Sequence, residues 1–133
     1  MASFDFGSVT DYKFALADDV TANANTVAVD TAGFEGVAFV TSVGTSNLNA
    51  DAGQTIAVSF LESDDTNISN ATAVDSGRVV SNDVVNASNT AFQASVVPTK
   101  RYLFGSLTIS DANVSANVHC LGTLGFPHNA PTT

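Results

Sequence analysis

The sequence predicts a single all-β domain, because of its length, its composition and its alternating apolar residues. A chain of 133 residues fits one domain, since domains of about 100–150 residues are the commonest size. Asn, Ser and Thr supply most of the polarity, and these side chains suit turns and solvent-facing strand positions better than helix interiors. Long helix formers are scarce: Glu occurs only at Glu35 and Glu62, and Met only at Met1. The predicted architecture is a β-sandwich or jelly-roll-like barrel of about seven to eight short strands.

Alternating segments separated by turn residues predict the strands in order. Residues 1–19 form an extended N-terminal arm with one strand in it, and residues 126–133, with two prolines, form an irregular C-terminal tail. Residues 71–89 hold valines broken by Asp, Ser, Gly and Asn, which predicts a long excursion with short strands. The predicted strands are 12–16, 26–30, 36–43, 54–62, 91–97, 101–110 and 114–125.

Burying one face of each strand predicts the core. In the segment 36–43, for example, Val37, Phe39 and Thr41 share one face. The predicted core members are Val27, Val37, Phe39, Ile56, Val58, Phe60, Phe92, Val96, Tyr102, Phe104, Val118 and Cys120.

The charge balance argues against nucleic acid and membranes as partners. Thirteen acidic residues face only four basic ones, which gives a net charge of −9. Such a surface repels phosphate backbones and anionic lipids. We therefore expect no binding to nucleic acid and none to a membrane surface.

The single cysteine and the N-terminus bear on the cellular compartment. Cys120 is alone, so it can form no internal disulfide, and its strand-like surroundings predict a small buried apolar residue. No basic stretch followed by an apolar run opens the sequence, and no apolar run approaches the ~20 residues of a membrane span. We expect a soluble protein made in a cytoplasm.

Residues that carry chemistry do not form a recognised catalytic pattern, so we predict no enzyme. His119 and His128 have no Asp or Ser spaced around them as in a known catalytic set. The pair Asp64–Asp65 lies in an oxygen-rich segment that suits either a hard cation such as calcium or a solvated turn, and the turn is the favoured interpretation. No catalytic, cofactor-binding or metal-binding residue is assigned.

Large apolar side chains near the chain ends suggest contacts with other proteins. Phe4, Phe6 and Phe14 lie in the predicted arm, and Phe126–Pro127 open the tail. Such groups fold back onto the core or pack onto a partner, and small domains often oligomerise. The basic pair Lys100–Arg101 is interpreted as a solvent-facing strand start, with a salt bridge to a neighbouring subunit as the alternative. These seven residues are the candidate partner contacts.

Four segments form an ordered series along the chain: DTAGFEGVAF at 30–39, LESDD at 61–65, KRYL at 100–103 and LGFPHNAP at 124–131. The series resembles a group of small proteins of tailed bacteriophages whose genes typically lie among the capsid and head-assembly genes. The resemblance covers residues 27–131. The sequence departs from the group at Phe104, where a second basic residue is usual.

The resemblance implies a virion structural protein, namely a head decoration (cement) protein with a jelly-roll-like sandwich. Proteins of this kind bind outside the major capsid protein lattice as homodimers or homotrimers and reinforce the head against packaged DNA. We expect the arm at 1–16 and the tail to supply the contacts, and the protein to be made in the host cytoplasm.

Two other functions are considered. A tail or head–tail connector component is expected in only a few copies per particle. A carbohydrate-binding module usually presents exposed aromatic rings, whereas this chain has no Trp and two tyrosines, Tyr12 and Tyr102.

Overall fold

Two antiparallel β-sheets make up the computed structural model, which describes residues 11–80, 84–85 and 87–127. The long strands are β1 (Asp11–Val20), β4 (Phe34–Ser46), β5 (Ile56–Ser63), β9 (Thr90–Val96), β10 (Tyr102–Ile109) and β11 (Ala116–Pro127). The two-residue strands are β2 (Ala24–Asn25), β3 (Val29–Asp30), β6 (Thr72–Ala73), β7 (Val79–Val80) and β8 (Val84–Val85). Three single turns of 3-10 helix span Ala50–Ala52, Ile68–Asn70 and Ser76–Arg78, and the described residues contain no α-helix.

The strand order places sequence-distant segments side by side. The first sheet runs β1-β11-β4-β9-β7. The second runs β2-β10-β5-β6, with β3 also paired to β10 and β8 to β5. Neither sheet closes into a barrel, and the arrangement is sandwich-like, so the all-β prediction is confirmed. Within the described part of the chain, no helix is long and apolar enough to cross a membrane.

The strand predicted at 12–16 is confirmed but is longer, because β1 continues to Val20 along the edge of the first sheet. Residues 11–19 therefore belong to the sheet and not to a separate arm, while residues 1–10 lie outside the described residues. The register of β1 against β11 shifts between Phe14 and Leu16. A bulge inserts one extra residue and reverses the alternation, which explains why this segment has no regular sequence pattern.

Of the strand predicted at 26–30 only the last two residues form a strand, as β3, while β2 lies just before the predicted segment. Between them, Thr26 bonds through its side chain as well as its backbone. The Gly105 backbone N–H donates to Thr26 Oγ1 at 2.9 Å, and Thr26 N–H donates to the Gly105 carbonyl at 2.9 Å. The next residue, Val27, is 63% exposed, so its placement in the core was wrong. The core predictions for Phe92 and Tyr102 were also wrong in part, because both are only half-buried. The other nine predicted core residues are buried.

Phe39 lies at the centre of the core, beside Gly122 in its own sheet and opposite Gly105 of the other sheet. Its ring is fully buried and meets Phe60 edge-on, with the centroids 5.2 Å apart. Gly122 pairs with Phe39 in the same sheet. Gly105 lies in the opposite sheet, where an added Cβ would be 2.9 Å from Phe39 Cζ. The two sheets therefore approach each other at this point because Gly105 has no side chain.

Candidate partner-binding site at one end of the sandwich

The four segments that carry the sequence resemblance meet at one end of the two sheets. Phe34 in β4 pairs with Pro127 at the end of β11. In the second sheet, Tyr102 pairs with Asp30 on one side and with Ser63 on the other. Hydrogen bonding and strand pairing thus bring parts of all four segments together, although they are spread over about a hundred residues of sequence.

The turn between β3 and β4 forms one wall of this end. Asp30 Oδ1 accepts a hydrogen bond from Ala32 N–H at 3.1 Å, and Phe34 N–H donates to the Thr31 carbonyl at 3.0 Å. Gly33 completes the turn with φ +88°, a conformation that side chains with a Cβ rarely adopt. The buried Thr31 then ties the turn to β10, because its N–H and its hydroxyl both donate to the Arg101 carbonyl at 2.9 and 2.6 Å.

Arg101 reaches back across the same turn to Asp30. Its Nε and Nη2 donate to the two carboxylate oxygens at 3.0 and 2.9 Å, which is the two-pronged geometry that fixes a guanidinium plane. These bonds to Asp30 also raise the pKa of Arg101 above its ordinary value. The guanidinium carbon lies 5.2 Å from the centroid of the Tyr102 ring. Both ionic side chains are exposed, so the pair orients Arg101 more than it stabilises the fold.

Glu62 anchors the other wall, the loop between β9 and β10. Its carboxylate is buried at the end of β5 and accepts hydrogen bonds from Thr99 N–H at 2.7 Å and from the Thr99 hydroxyl at 2.8 Å. A longer bond of 3.4 Å comes from Lys100 N–H. A buried carboxylate is costly unless it is hydrogen-bonded, and here the loop backbone supplies the donors. Glu62 therefore fixes the loop that carries the basic pair.

Between the two walls lies an open groove of about 460 Å³. It is lined by residues 31–35 of the β3–β4 turn and residues 97–101 of the β9–β10 loop. Glu35 and Lys100 supply charge of both signs, while Phe34, Val97 and Pro98 supply apolar surface. Lys100 Nζ also donates to Thr72 Oγ1 at 3.2 Å.

The groove has the composition of a recognition surface. Its charges are of mixed sign, its walls are held by hydrogen bonds, and apolar side chains lie between them. No cluster of three metal-ligating side chains occurs among the described residues. This arrangement can bind a protein segment and fix its orientation through ion pairs and apolar contacts.

The structure brings some of the predicted contact residues together and not others. Lys100 and Arg101 line the groove, in the loop just before β10 begins at Tyr102. Arg101 pairs with Asp30 of its own chain, which supplies the carboxylate that the alternative interpretation assigned to a neighbouring subunit. Phe126 and Pro127 are the last residues of β11, at the same end of the sheet, so their placement in the irregular tail was wrong.

The remaining predicted contacts are not among the described lining of the groove. Phe14 pairs with Leu121 in the first sheet. Phe4 and Phe6 lie outside the described residues, as does the rest of the tail beyond Pro127.

Sequence reasoning missed Glu62 as an organising residue, although a signal for it was present. Ile56, Val58 and Phe60 form the buried face of β5, and Glu62 is the next residue in that alternation. A carboxylate on a buried face needs donors, and the turn residues at 98–99 precede the next strand. Asp30 and Thr31 had no comparable signal, because their partner Arg101 is about seventy residues away.

The Asp64–Asp65 segment forms a self-contained turn. Asp65 accepts hydrogen bonds from Asn70 Nδ2 at 2.8 Å, Asn67 N–H at 2.8 Å and the Ser63 hydroxyl at 3.3 Å. These donors, Asn70 first, lower the pKa of the Asp65 carboxyl. The favoured interpretation as a turn agrees with this bonding, since the chain itself occupies both carboxylate oxygens.

His119 and Cys120 are consecutive in β11 but lie in different environments. His119 is exposed, and its Nε2 lies 2.7 Å from Asn117 Oδ1. Cys120 is fully buried beside Thr41, as predicted, and burial raises the pKa of its thiol to about 11. His128 lies outside the described residues.

A comparison of the chain with known protein families, curated proteins and solved structures found no match.

Proposed function

We propose that this protein is a bacteriophage capsid decoration, or cement, protein that binds the outside of the major capsid protein lattice and stabilises the head. The proposal includes a jelly-roll-like connectivity of the two sheets and a homo-oligomeric state on the capsid. It rests on the sequence resemblance, and one structural observation supports it.

That observation is the meeting of the four resembling segments at one end of the molecule. Residues of the first segment (Thr31, Phe34) and of the third (Lys100, Arg101) line the groove, while Glu62 of the second holds the loop beside it. Pro127 of the fourth segment pairs with Phe34. Segments that recur together in sequence and also build one surface are expected to share one task, and a common partner contact is such a task.

The rigidity of this end suits a protein that reinforces a shell. The hydrogen bonds of Glu62 and the two-pronged Asp30–Arg101 pair fix both walls before any partner binds. A preorganised surface loses less conformational entropy on binding. A net charge of −9 also favours a position outside the shell, because it opposes contact with packaged DNA.

The test is a binding measurement between the purified full chain and empty capsids, with two variants that each add one negative charge. Ala32→Glu places the charge on an exposed residue of the groove, whereas Thr108→Glu places it on an exposed strand residue outside the groove. We expect the wild type to saturate capsids at hundreds of copies. We expect Ala32→Glu to weaken binding at least about tenfold and Thr108→Glu to leave it unchanged.

Other results would redirect the assignment. If the chain ignores capsids, the decoration function is wrong. If it is present in virions in only a few copies per particle, a tail or connector role replaces it. Equal binding by both variants would remove the groove from the contact while leaving the function in place.

A further inference from the structure

The outer face of the first sheet combines exposed aliphatic side chains with a complete lack of formal charge in strands β4, β7, β9 and β11. Val37, Phe39 and their neighbours point inward, so the alternate residues form the outer face. We call these residues the outer face: Gly36, Ala38, Val40, Ser42, Val80, Ala91, Gln93, Ser95, Val97, His119, Leu121, Thr123 and Gly125.

The larger aliphatic side chains of this face lie along its β7–β9 edge and near its centre. Val80 is 66% exposed and Val97 48% exposed, and they are two of the three large exposed hydrophobic residues among those described. Val40 and Leu121 are paired neighbours near the centre, each half-buried. The outward residues of β5 and β10 in the second sheet also carry no formal charge, but the exposed ones among them are Ser59 and Thr108, so that face lacks exposed aliphatic side chains.

Charge in this molecule lies elsewhere. Among the described side chains, acidic residues occupy loops and strand ends, as Glu35, Asp51, Asp75 and Asp111 do. Asp19 in β1 lies at the border of the outer face, where it accepts a hydrogen bond from Asn117. The acidic side chains that the structure describes therefore lie away from the middle of the first sheet's outer surface.

We propose that the outer face is a self-association surface that packs against the same face of a second copy of this chain. Two copies that each carry −9 repel one another, and the repulsion is smallest where neither copy presents a charge. A face without charged groups needs no matched pattern of opposite charge, so it is compatible with its own copy across a two-fold axis. Small side chains on twisted sheets can interlock in such a packing, with the sheets about 10 Å apart.

The size of the face sets the strength of the contact. Four strands spaced about 4.8 Å apart and some seven residues of about 3.3 Å each give a plane of at most roughly 440 Å², because β7 has only two residues. Interfaces of standard size bury about 800 Å² per partner. We therefore expect a reversible dimer whose formation depends on protein concentration. The inference deepens the proposed function and rests on it for a role in the virion, but self-association is measurable without capsids.

Salt concentration gives an independent signature. Raising the ionic strength from about 0.01 to 0.15 M shortens the Debye length from about 30 to 8 Å and screens the repulsion between the two acidic copies. A dimer built on an uncharged face becomes tighter when salt is added. A dimer held by ion pairs would become weaker.

The experiment is sedimentation equilibrium of the full chain over roughly 1–300 μM, a range around the affinity expected of a weak interface. The test variant is the double substitution Gln93→Glu and Ser95→Glu, on exposed outer-face residues of β9. The matched control is Ser59→Glu and Thr108→Glu, on exposed residues of the second sheet. Both variants add the same charge, and thermal unfolding checks that both are folded.

We expect the wild type to dimerise and to do so more tightly in salt. The test variant should weaken the dimer at least about tenfold, and the control should stay within about twofold of the wild type. A wild-type monomer across the whole range, a trimer, or equal effects of the two variants would overturn the inference. So would a test variant that still dimerises but no longer binds capsids, because the capsid would then be the occupant of the face. A wild-type dimer that responds as expected but ignores capsids leaves the inference standing and removes the proposed function.

Discussion

Replacing Gly105 with alanine tests how closely the two sheets approach each other. The new Cβ would lie 2.9 Å from Phe39 Cζ, 3.1 Å from Thr26 Cγ2 and 3.2 Å from Phe39 Cε1. Carbon atoms in contact are normally about 3.5–4.0 Å apart, so the Phe39 ring must move. That ring is fully buried and packs edge-on against Phe60, which leaves it little room.

The expected magnitude follows from two opposing effects. Overpacking a core by one methyl group costs about 1–3 kcal/mol. Replacing glycine also removes freedom from the unfolded chain, which returns about 0.4–1 kcal/mol. The free energy of unfolding should therefore fall by about 1–2 kcal/mol, which lowers Tm by roughly 3–8 °C in a domain of this size.

Urea unfolding of the wild type and of two single variants is the assay. Gly125→Ala is the matched control, because Gly125 also lies in a strand and a Cβ there meets nothing within 4 Å. Combining Gly105→Ala with Phe39→Leu should cost less than the sum of the two single changes, since a smaller side chain leaves space for the new methyl group. If Gly105→Ala is as stable as the control, the close approach of the sheets described above is incorrect.

Three further predictions concern the carboxylates and the thiol. Glu62→Gln should lower the free energy of unfolding by about 1–3 kcal/mol, because the Thr99 N–H loses its charged, buried acceptor. Faster amide exchange at Thr99 would report the loosened loop, and unchanged exchange would contradict this role. Asp65 has a folded-state pKa below its unfolded value of 3.8, so it contributes stability above that pH and loses the contribution as pH falls through the folded pKa. Asp65→Asn should therefore be less stable than the wild type at neutral pH, and the difference should shrink on acidification; a constant difference would refute this. Cys120, with a thiol pKa of about 11 and no exposed surface, should react with a thiol reagent at pH 8 only as fast as the protein unfolds, and rapid labelling of the native protein would disprove its burial.

The candidate site was predictable only in its components. The basic pair Lys100–Arg101 and the segments at 30–39 and 61–65 were identified from sequence as notable. Their meeting at one groove depends on which strands neighbour β10, and strand order is not encoded in alternation. The predicted contacts in the aromatic N-terminus remain predictions, since Phe4 and Phe6 lie outside the described residues.

What the sequence by itself determined was the fold class and the approximate position of most strands. A period of two in apolar residues is a local property, so β4, β5, β9, β10 and β11 were placed within a few residues. The same rule identified buried positions as different as Phe39 and Cys120.

Only the tertiary structure decided the features that depend on partners distant in the chain. The bulge in β1 and the side-chain bonding of Thr26 interrupt the alternation locally. For this reason the sequence-based predictions of the N-terminal arm and of Val27 in the core were wrong. Gly105 has a role only because Phe39 approaches it from the other sheet. The buried Glu62 is acceptable only because a loop nearly forty residues away donates to it. Hydrogen bonds and close packing between sequence-distant residues are set by the strand order, which a single sequence does not specify.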